Sequence, residues 1–403
     1  MNLLFLAPRV PWPLDTGAKI RTFHLLRGLA RAHRVTLLAF YDSETERQAA
    51  GALTDVGAEI EIVPRALDVR ARALDAALGL VGPLPYNIRK YERAVMRARI
   101  RQVQLRQRID LVHCDHLHMS QYGPMFDVPF VIDEHNIECL ILKRYAQDAR
   151  ERLPLRAGYA QQYLLLRRYE AGQAERSWAC LVCSEEDRRE LSDISKQRNL
   201  RVVPNGVDLE FFGDPNVRLL AEGHLVFTGS MDWQPNEDAV LWFYSEVLPE
   251  IRYVFPRLPF YVVGRNPTSH LTAIGAKDPA TVVTGTVTDV RPYLRGALGL
   301  VVPIRVGGGT RLKILEAFAA RVPVLSTRVG AEGIAAEPEE HYLRAETPRE
   351  FAVQVRRLAT DQALRQKLTD NAADLVNRRY GWDVISSEVA SFYEGAPPRT
   401  VHP

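Results

Sequence analysis

Cysteine is scarce. Only Cys114, Cys139, Cys180 and Cys183 occur in 403 residues, too few and too scattered for a disulfide framework in a chain of this size. A reducing cytoplasm is therefore the expected compartment. Cys180 and Cys183 have CxxC spacing, but the stretch from Trp178 to Ser184 reads as a buried strand with the two thiols on opposite faces, which favours core packing over redox or zinc chemistry. Long apolar runs are absent too. Nothing approaches the ~20 residues of a membrane span, and Met1 to Val10 lacks both the charged flank and the apolar length of a signal peptide. Nor does charge of one sign dominate. With 52 Lys and Arg against 49 Asp and Glu the net charge is +3, which alone argues for no nucleic-acid partner, and no zinc-finger spacing or basic-aromatic platform supplies one.

What is present is a globular composition, 46% hydrophobic and 25% charged, in a chain long enough for two domains with separate cores. Leu3 to Ala7 is a continuous apolar run, as a buried parallel strand requires, and it opens through Pro8 into the loop Pro11 to Gly17. The spacing of Ile20, Phe23, Leu26 and Leu29 predicts a helix over Ala18 to Ala32, with Lys19, Arg21 and Arg27 elsewhere around the wheel. Strands are expected at Arg34 to Phe40, Glu59 to Val63, Asp110 to Cys114 and Val128 to Ile132, and the last two run into loops rich in His and acidic residues. Such loops at strand carboxyl ends should line a cleft. After short strands at Leu181 to Ser184 and Leu200 to Val203, the turn cluster Pro204 to Asp208 reads as a hinge. The second half repeats the logic, with strands at Leu225 to Thr228, Phe260 to Val263, Val282 to Val283, Leu300 to Pro303 and Pro323 to Ser326. The expected class is α/β, with two Rossmann-like doubly wound domains.

The most informative stretch follows the apolar run ending at Pro303. Gly307, Gly308, Gly309 and Thr310 read as a loop that opens a helix carrying Arg311, Lys313 and Glu316. Glycines let backbone amides approach an anion, and the helix adds the positive end of its dipole. Two cations in that first turn are unfavourable unless something negative, such as a diphosphate, offsets them. Lys313 and Glu316 share a face at three-residue spacing. The competing reading is a tight turn beside solvated charges.

Arg65 to Asp110 holds 11 Lys or Arg against 4 Asp or Glu. Tyr86, Ile88, Tyr91, Val95, Met96, Ile100, Val103 and Leu105 are spaced as an apolar stripe beneath the cations of 89–108. An amphipathic helix touching an anionic membrane surface is one reading, and a solvated face over ordinary core is the other.

In order along the chain, the Pro204 to Asp208 turn, Phe227 to Ser230, Gly285 to Asp289 with Tyr293 and Leu294, Gly308 to Ala317, and Arg379 to Trp382 resemble retaining glycosyltransferases of the two-lobed GT-B fold. The nearest likeness is to the large family that uses nucleoside-diphosphate sugars and includes enzymes of exopolysaccharide assembly. The resemblance implies an N-terminal acceptor domain over 1–203, a nucleotide-sugar domain over 204–378 facing it across a cleft, a crossover helix at 379–395 and a frayed tail at 396–403. It implies that His135 contacts the donor sugar, that Glu316 binds the ribose hydroxyls, that Thr286 and Val287 flank the base, and that Gly17, Gly229, Gly308, Gly309 and Thr310 border the donor. It departs from the family pattern twice. Gly308 stands where a sugar-binding Glu is usual, and Gly229 is followed by Ser230 to Asn236 without the usual cations. Arg311 and Lys313 are expected to replace those cations as catalytic groups, with Arg265 and Arg305 next in line. The expected partners are a nucleotide-sugar donor and a glycan or lipid-linked acceptor, in the cytoplasm or on the inner face of the cell membrane. No cofactor or metal is expected, because no carboxylate cluster of the metal-binding kind is seen after a strand. The alternatives are a sugar-nucleotide epimerase on the same fold and a noncatalytic nucleotide-sugar-binding module.

Overall fold

The structure, a computed structural model, describes residues 1–65, 79, 82–147, 153–220, 222–306 and 311–398. Its strands form two wholly parallel sheets. The first contains β1 (Asn2–Ala7), β2 (Arg34–Tyr41), β3 (Glu59–Pro64), β4 (Leu111–Asp115), β5 (Phe130–Glu134), β6 (Ala179–Val182) and β7 (Leu200–Val202), in the order β3-β2-β1-β4-β5-β6-β7. The second contains β8 (His224–Thr228), β9 (Phe260–Val263), β10 (Thr281–Gly285), β11 (Ala297–Val302), β12 (Val324–Ser326) and β13 (Leu343–Arg344), in the order β10-β9-β8-β11-β12-β13. Strand order therefore reverses at β1/β4 in one sheet and at β8/β11 in the other. A crevice opens outside the carboxyl ends of the strands at such a reversal, and ligands of doubly wound sheets bind there. Strand β1 shows an apolar run rather than alternation, as a layer covered on both faces requires: Leu3, Leu4, Phe5, Leu6 and Ala7 are all buried.

The chain divides into two compact units, Met1–Pro204 with the chain from Ile385 onward, and Asn205–Val384. Each has its own apolar core. The last helix, Trp382–Glu394, contributes its later turns to the first unit, where Gly28 admits it closely. A Cβ on Gly28 would lie 2.0 Å from Ser386 Oγ, so no larger residue fits without moving the helix. Trp178 stacks on Phe392 at 4.7 Å between ring centroids, and the Tyr393 hydroxyl lies 2.6 Å from His113 Nδ1.

Two local expectations need correction. Strand β5 runs two residues further than the apolar pattern indicates and takes Asp133 and Glu134 into the buried sheet. Burial of Asp133 is tolerable because Arg21, on the helix α1 (Gly17–Ala32), pairs with it there. The basic segment 89–108 is not one amphipathic helix. A short helix, Tyr86–Arg89, is followed by a break and then by Ala94–Arg106, whose Met96, Ile100 and Val103 are buried in the core of the first unit. Cations on this helix and just after it pair with carboxylates: Arg97 with Glu92 at 2.8 Å, Arg99 with Glu61 at 3.4 Å, Arg108 with Asp110 at 3.2 Å, and Arg106 with Glu61. The apolar stripe is thus used internally, and only Val95 and Leu105 of it lie on the exposed side of this helix.

Candidate active site

In the second unit the switch point is built by close backbone approach. Strands β8 and β9 end in Gly229 and Gly264, whose φ values are 154° and 158°. A Cβ on Gly264 would meet the Gly229 carbonyl oxygen at 1.7 Å, so glycine is required there. The helix Leu312–Ala319 follows β11, with Arg311 at its N-cap and Lys313 in its first turn. Lys313 reaches back to the end of β8. Its Nζ donates to Asn236 Oδ1 at 3.0 Å, lies 3.9 Å from the centroid of the Phe227 ring, and would be 3.0 Å from a Cβ on Gly229. From the other side Arg265, just past β9, donates from Nε to Ser230 Oγ at 2.8 Å. Ser230 in turn donates to Asp232 Oδ1 at 2.8 Å. Lys313 and Arg265 therefore stand on either side of the Gly229–Ser230 turn, the place where the sequence itself carries no cation.

Burial sets the electrostatics of this region. It pushes the Lys313 ammonium down to about 7, with repulsion from Arg311 adding and Glu316 opposing. It pushes the Glu316 carboxyl up to about 7, with Lys313 opposing. The Glu316 carboxyl makes no hydrogen bond to another described side chain or backbone group. Buried Arg311 lies at the same helix start. Thr286 is exposed and Val287 half-buried in the turn after β10. Arg305 is held on the surface by Asp238 at 2.9 Å and the Trp242 ring at 5.0 Å. Gly307, Gly308, Gly309 and Thr310 lie outside the described residues.

In the first unit the carboxyl ends of β4 and β5 bring together a network that the sequence showed only in part. His135 Nε2 lies 2.8 Å from Asp115 Oδ1 and 3.5 Å from Asp133 Oδ2. Burial opposes its charge, but the two carboxylates lift the imidazolium to about 9. Arg21, fully buried, grips Asp133 through Nε at 2.9 Å and a terminal nitrogen at 2.6 Å, and donates to the Val203 carbonyl at 2.8 Å. Thr22 donates to Asp115 Oδ2 at 2.9 Å. Burial works against the charge of Asp133, yet Arg21 and His135 hold its carboxyl far below the usual range. The ring of His116, with φ at 68°, lies 3.6 Å from that of His135 between centroids and is tilted by 30° to it. Gly17 is the exposed first residue of α1, capped by Thr16. Arg21, Asp115, Asp133 and His116 were missed as site residues. Acidic residues closing apolar strands were the available signal, whereas Arg21 looked like any polar residue of a surface helix.

The ligand atoms of Asp115, His116 and His135, and those of His113, Asp115 and Asp133, lie within 4.8 Å of one another. Carboxylates do therefore cluster at strand ends, contrary to the sequence reading. Hydrogen bonds from Thr22, His135 and Arg21 already engage them, and the Arg21 guanidinium beside Asp133 disfavours a second cation. The cluster is read as an ionic hydrogen-bond network.

Residues 16–211 match the family described as Glycosyltransferase Family 4, and residues 222–361 match Glycosyl transferases group 1. No curated protein matches the sequence. Among solved structures the chain is similar to Anabaena HepE in complex with UDP, with 13% identity, a TM-score of 0.67, and coverage of 98% of this chain and 100% of that one. It is similar to sucrose-phosphate synthase from Thermosynechococcus elongatus, with 17% identity, a TM-score of 0.68, and 98% of each chain covered. It also resembles WaaG, a glycosyltransferase involved in lipopolysaccharide biosynthesis, with 14% identity, a TM-score of 0.63, and coverage of 98% of this chain and 100% of that one. At such identities the likeness is one of fold, the two-domain GT-B arrangement of Rossmann-like sheets. No helix among the described residues is long and apolar enough to cross a membrane.

Proposed function

We propose that this chain, whose two halves each match a glycosyltransferase family and whose fold is GT-B, transfers a hexose from a nucleoside-diphosphate sugar to an acceptor hydroxyl with retained configuration. The observation that carries this is Lys313, whose Nζ lies against Gly229 at the β8/β11 switch point with Asn236 as its partner. A diphosphate seated there would meet Lys313, Arg265, Arg311 and the amides of a helix start, while Glu316 takes the ribose hydroxyls and Val287 the base. UDP, found with Anabaena HepE, is the first nucleotide to test. As the sugar–oxygen bond breaks, charge accumulates on the leaving phosphate, and preorganised cations lower the barrier without a metal. Retention suits a site whose carboxylates Asp115 and Asp133 are engaged by hydrogen bonds rather than free as bases. The acceptor's proton then goes to the departing phosphate oxygen. A glycan or lipid-linked acceptor, as in polysaccharide assembly at the inner face of a membrane, fits this chemistry. Contact of 89–108 with an anionic surface would rest on charge alone, since its apolar side chains are mostly in the core.

Incubating the full chain with UDP-glucose and a mixed glycan and lipid acceptor pool is the direct test. UDP release with sugar on an acceptor supports the reading. Conversion of the donor alone would indicate an epimerase, and binding without UDP release a noncatalytic module.

Two further outcomes are expected. His135→Ala should lower kcat more than it weakens UDP binding, because a positioned imidazolium acts on the sugar rather than the nucleotide; unchanged turnover would return His135 to a structural role. UDP affinity should fall above pH 7, by up to about ten-fold per pH unit, since an anion needs Lys313 protonated and the free site holds it near neutrality. Calorimetry in buffers of different ionisation enthalpy should show proton uptake on binding at pH 8. A flat affinity profile there would remove Lys313 from the phosphate site.

A further inference from the structure

A second concavity lies wholly within the first unit, at its own switch point, where β1 and β4 end. It has a volume of about 300 Å³, and its lining includes Arg9, Thr16, Lys19, Tyr91, His116 and His118. That is at the small end for a ligand pocket and suits one end of an acceptor better than a whole nucleotide sugar.

Cations gather around it. Tyr91 is flanked by the Arg65 guanidinium, 4.7 Å from the ring centroid, and by Lys90 Nζ at 5.3 Å. Arg9 and Arg65 share one carboxylate, Asp42, at 3.9 Å from Arg9 and 2.6 Å from Arg65 Nε. Lys90 has no ion-pair partner among the described residues, and Glu138 acts on it only through space. Burial first, then repulsion from Arg65, holds its ammonium below the usual lysine range. Lys19 pairs with Asp15 at 3.1 Å. Asp115, the acid in the lining, is already engaged by Thr22 and His135.

Two polar groups add to the cations. His118, 9% exposed and packed on Tyr91 at 4.9 Å between centroids, has a buried Nδ1 with no hydrogen-bond partner among the described residues. The 16-residue helix α1, capped by Thr16, begins at the pocket wall with no acidic residue in its first turn, so its remaining amides keep their positive end toward the pocket.

We propose that this pocket receives the acceptor through an anionic group of the phosphate class, held by Arg9, Lys90, His118 and the first turn of α1. The proposal rests on the glycosyltransferase reading for the word acceptor, but its test does not need turnover. Of the basic segment, Tyr91 lines this pocket and Lys90 stands behind it with Nζ 5.3 Å from the Tyr91 ring centroid, whereas much of the rest forms surface ion pairs.

The full-length protein, saturated with UDP, is titrated with glycerol 1-phosphate and in parallel with glycerol. Glycerol phosphate should bind and glycerol should not. Lys90→Gln and Arg9→Gln should each weaken binding about ten-fold or more, as loss of a charge-assisted contact does, and exposed Arg101→Gln should leave it unchanged. Co-sedimentation with phosphatidylglycerol vesicles, against phosphatidylcholine alone, separates the sources. Retention that Lys90→Gln abolishes assigns the phosphate to a lipid head group, and binding in solution without retention assigns it to a soluble acceptor. Competition between glycerol phosphate and UDP would make the pocket part of the donor site and overturn the proposal. So would glycerol phosphate binding that is absent or indifferent to both pocket substitutions in protein that still binds UDP. Failure to release UDP from UDP-glucose, by contrast, strikes the glycosyltransferase reading itself.

Discussion

Lys313→Ala should fold normally, keep much of its affinity for free nucleoside, and transfer sugar roughly 10²-fold to 10³-fold more slowly, the usual effect of losing one preorganised donor to a developing oxyanion. Normal folding is expected because the ammonium is held at about 7 by burial. Removing a cation that the fold already disfavours relieves a desolvation cost. The rate loss is expected because Lys313 reaches the Gly229 turn from another element and supplies charge that Ser230 to Asn236 do not. Arg311→Ala, at the N-cap of the same helix, should behave alike. Glu316→Ala should do the opposite in part, weakening nucleotide binding strongly. A surface ion pair such as Arg305 with Asp238 provides the contrast, since exposed pairs contribute at most about 1 kcal/mol. Stopped-assay UDP release and direct UDP titration of the three variants check the pattern. Turnover of both cation variants within a few-fold of the parent would leave Arg265 as the group to examine.

The largest effect on stability should come from Arg21. Arg21→Met leaves Asp133 buried without its guanidinium, and Asp133→Asn leaves Arg21 buried without its carboxylate. Breaking a buried pair in this way costs about 3 to 5 kcal/mol. Replacing both partners with apolar residues should cost clearly less than the sum of the single changes. The pH dependence follows from the same network. The Asp133 carboxyl is held below its unfolded value, so its contribution is present above about pH 4 and is lost as the pH falls. His135 is lifted to about 9, so its contribution is fully present below about pH 6.5 and is lost as the pH rises through 9. The contribution of this Asp133–His135 network to resistance against urea should therefore be greatest between about pH 4 and 6.5, and Asp133→Asn should remove its acid limb. An acid limb unchanged in that variant would mean that Asp133 is not the group responsible.

Much of the fold was legible because its signals are local. Strands such as Leu3 to Ala7 announce themselves as unbroken apolar runs, and helices such as Gly17–Ala32 by 3.6-residue spacing, since burial on both faces or on one face leaves that imprint directly. The nearness of Glu316 to Lys313 was legible for the same reason, as it needs only a helical turn. The basic segment left two readings open because amphipathicity records that one face is apolar, not what covers it. Met96, Ile100 and Val103 are covered by the core of their own unit.

The sequence alone determined two parallel α/β halves, the turn at Pro204 to Asp208 between them, and a helix start presenting Arg311, Lys313 and Glu316 after a strand. Tertiary structure alone decided that Lys313 ends against Gly229, 84 residues earlier in the chain by the numbering, and that Arg21 leaves the polar face of its helix for Asp133 at a distance of 2.6 Å. The physical reason is common to both. A charge's partner, and the burial that shifts its protonation, depend on which strand ends become neighbours when the sheet orders itself, and spacing along the chain carries no record of that.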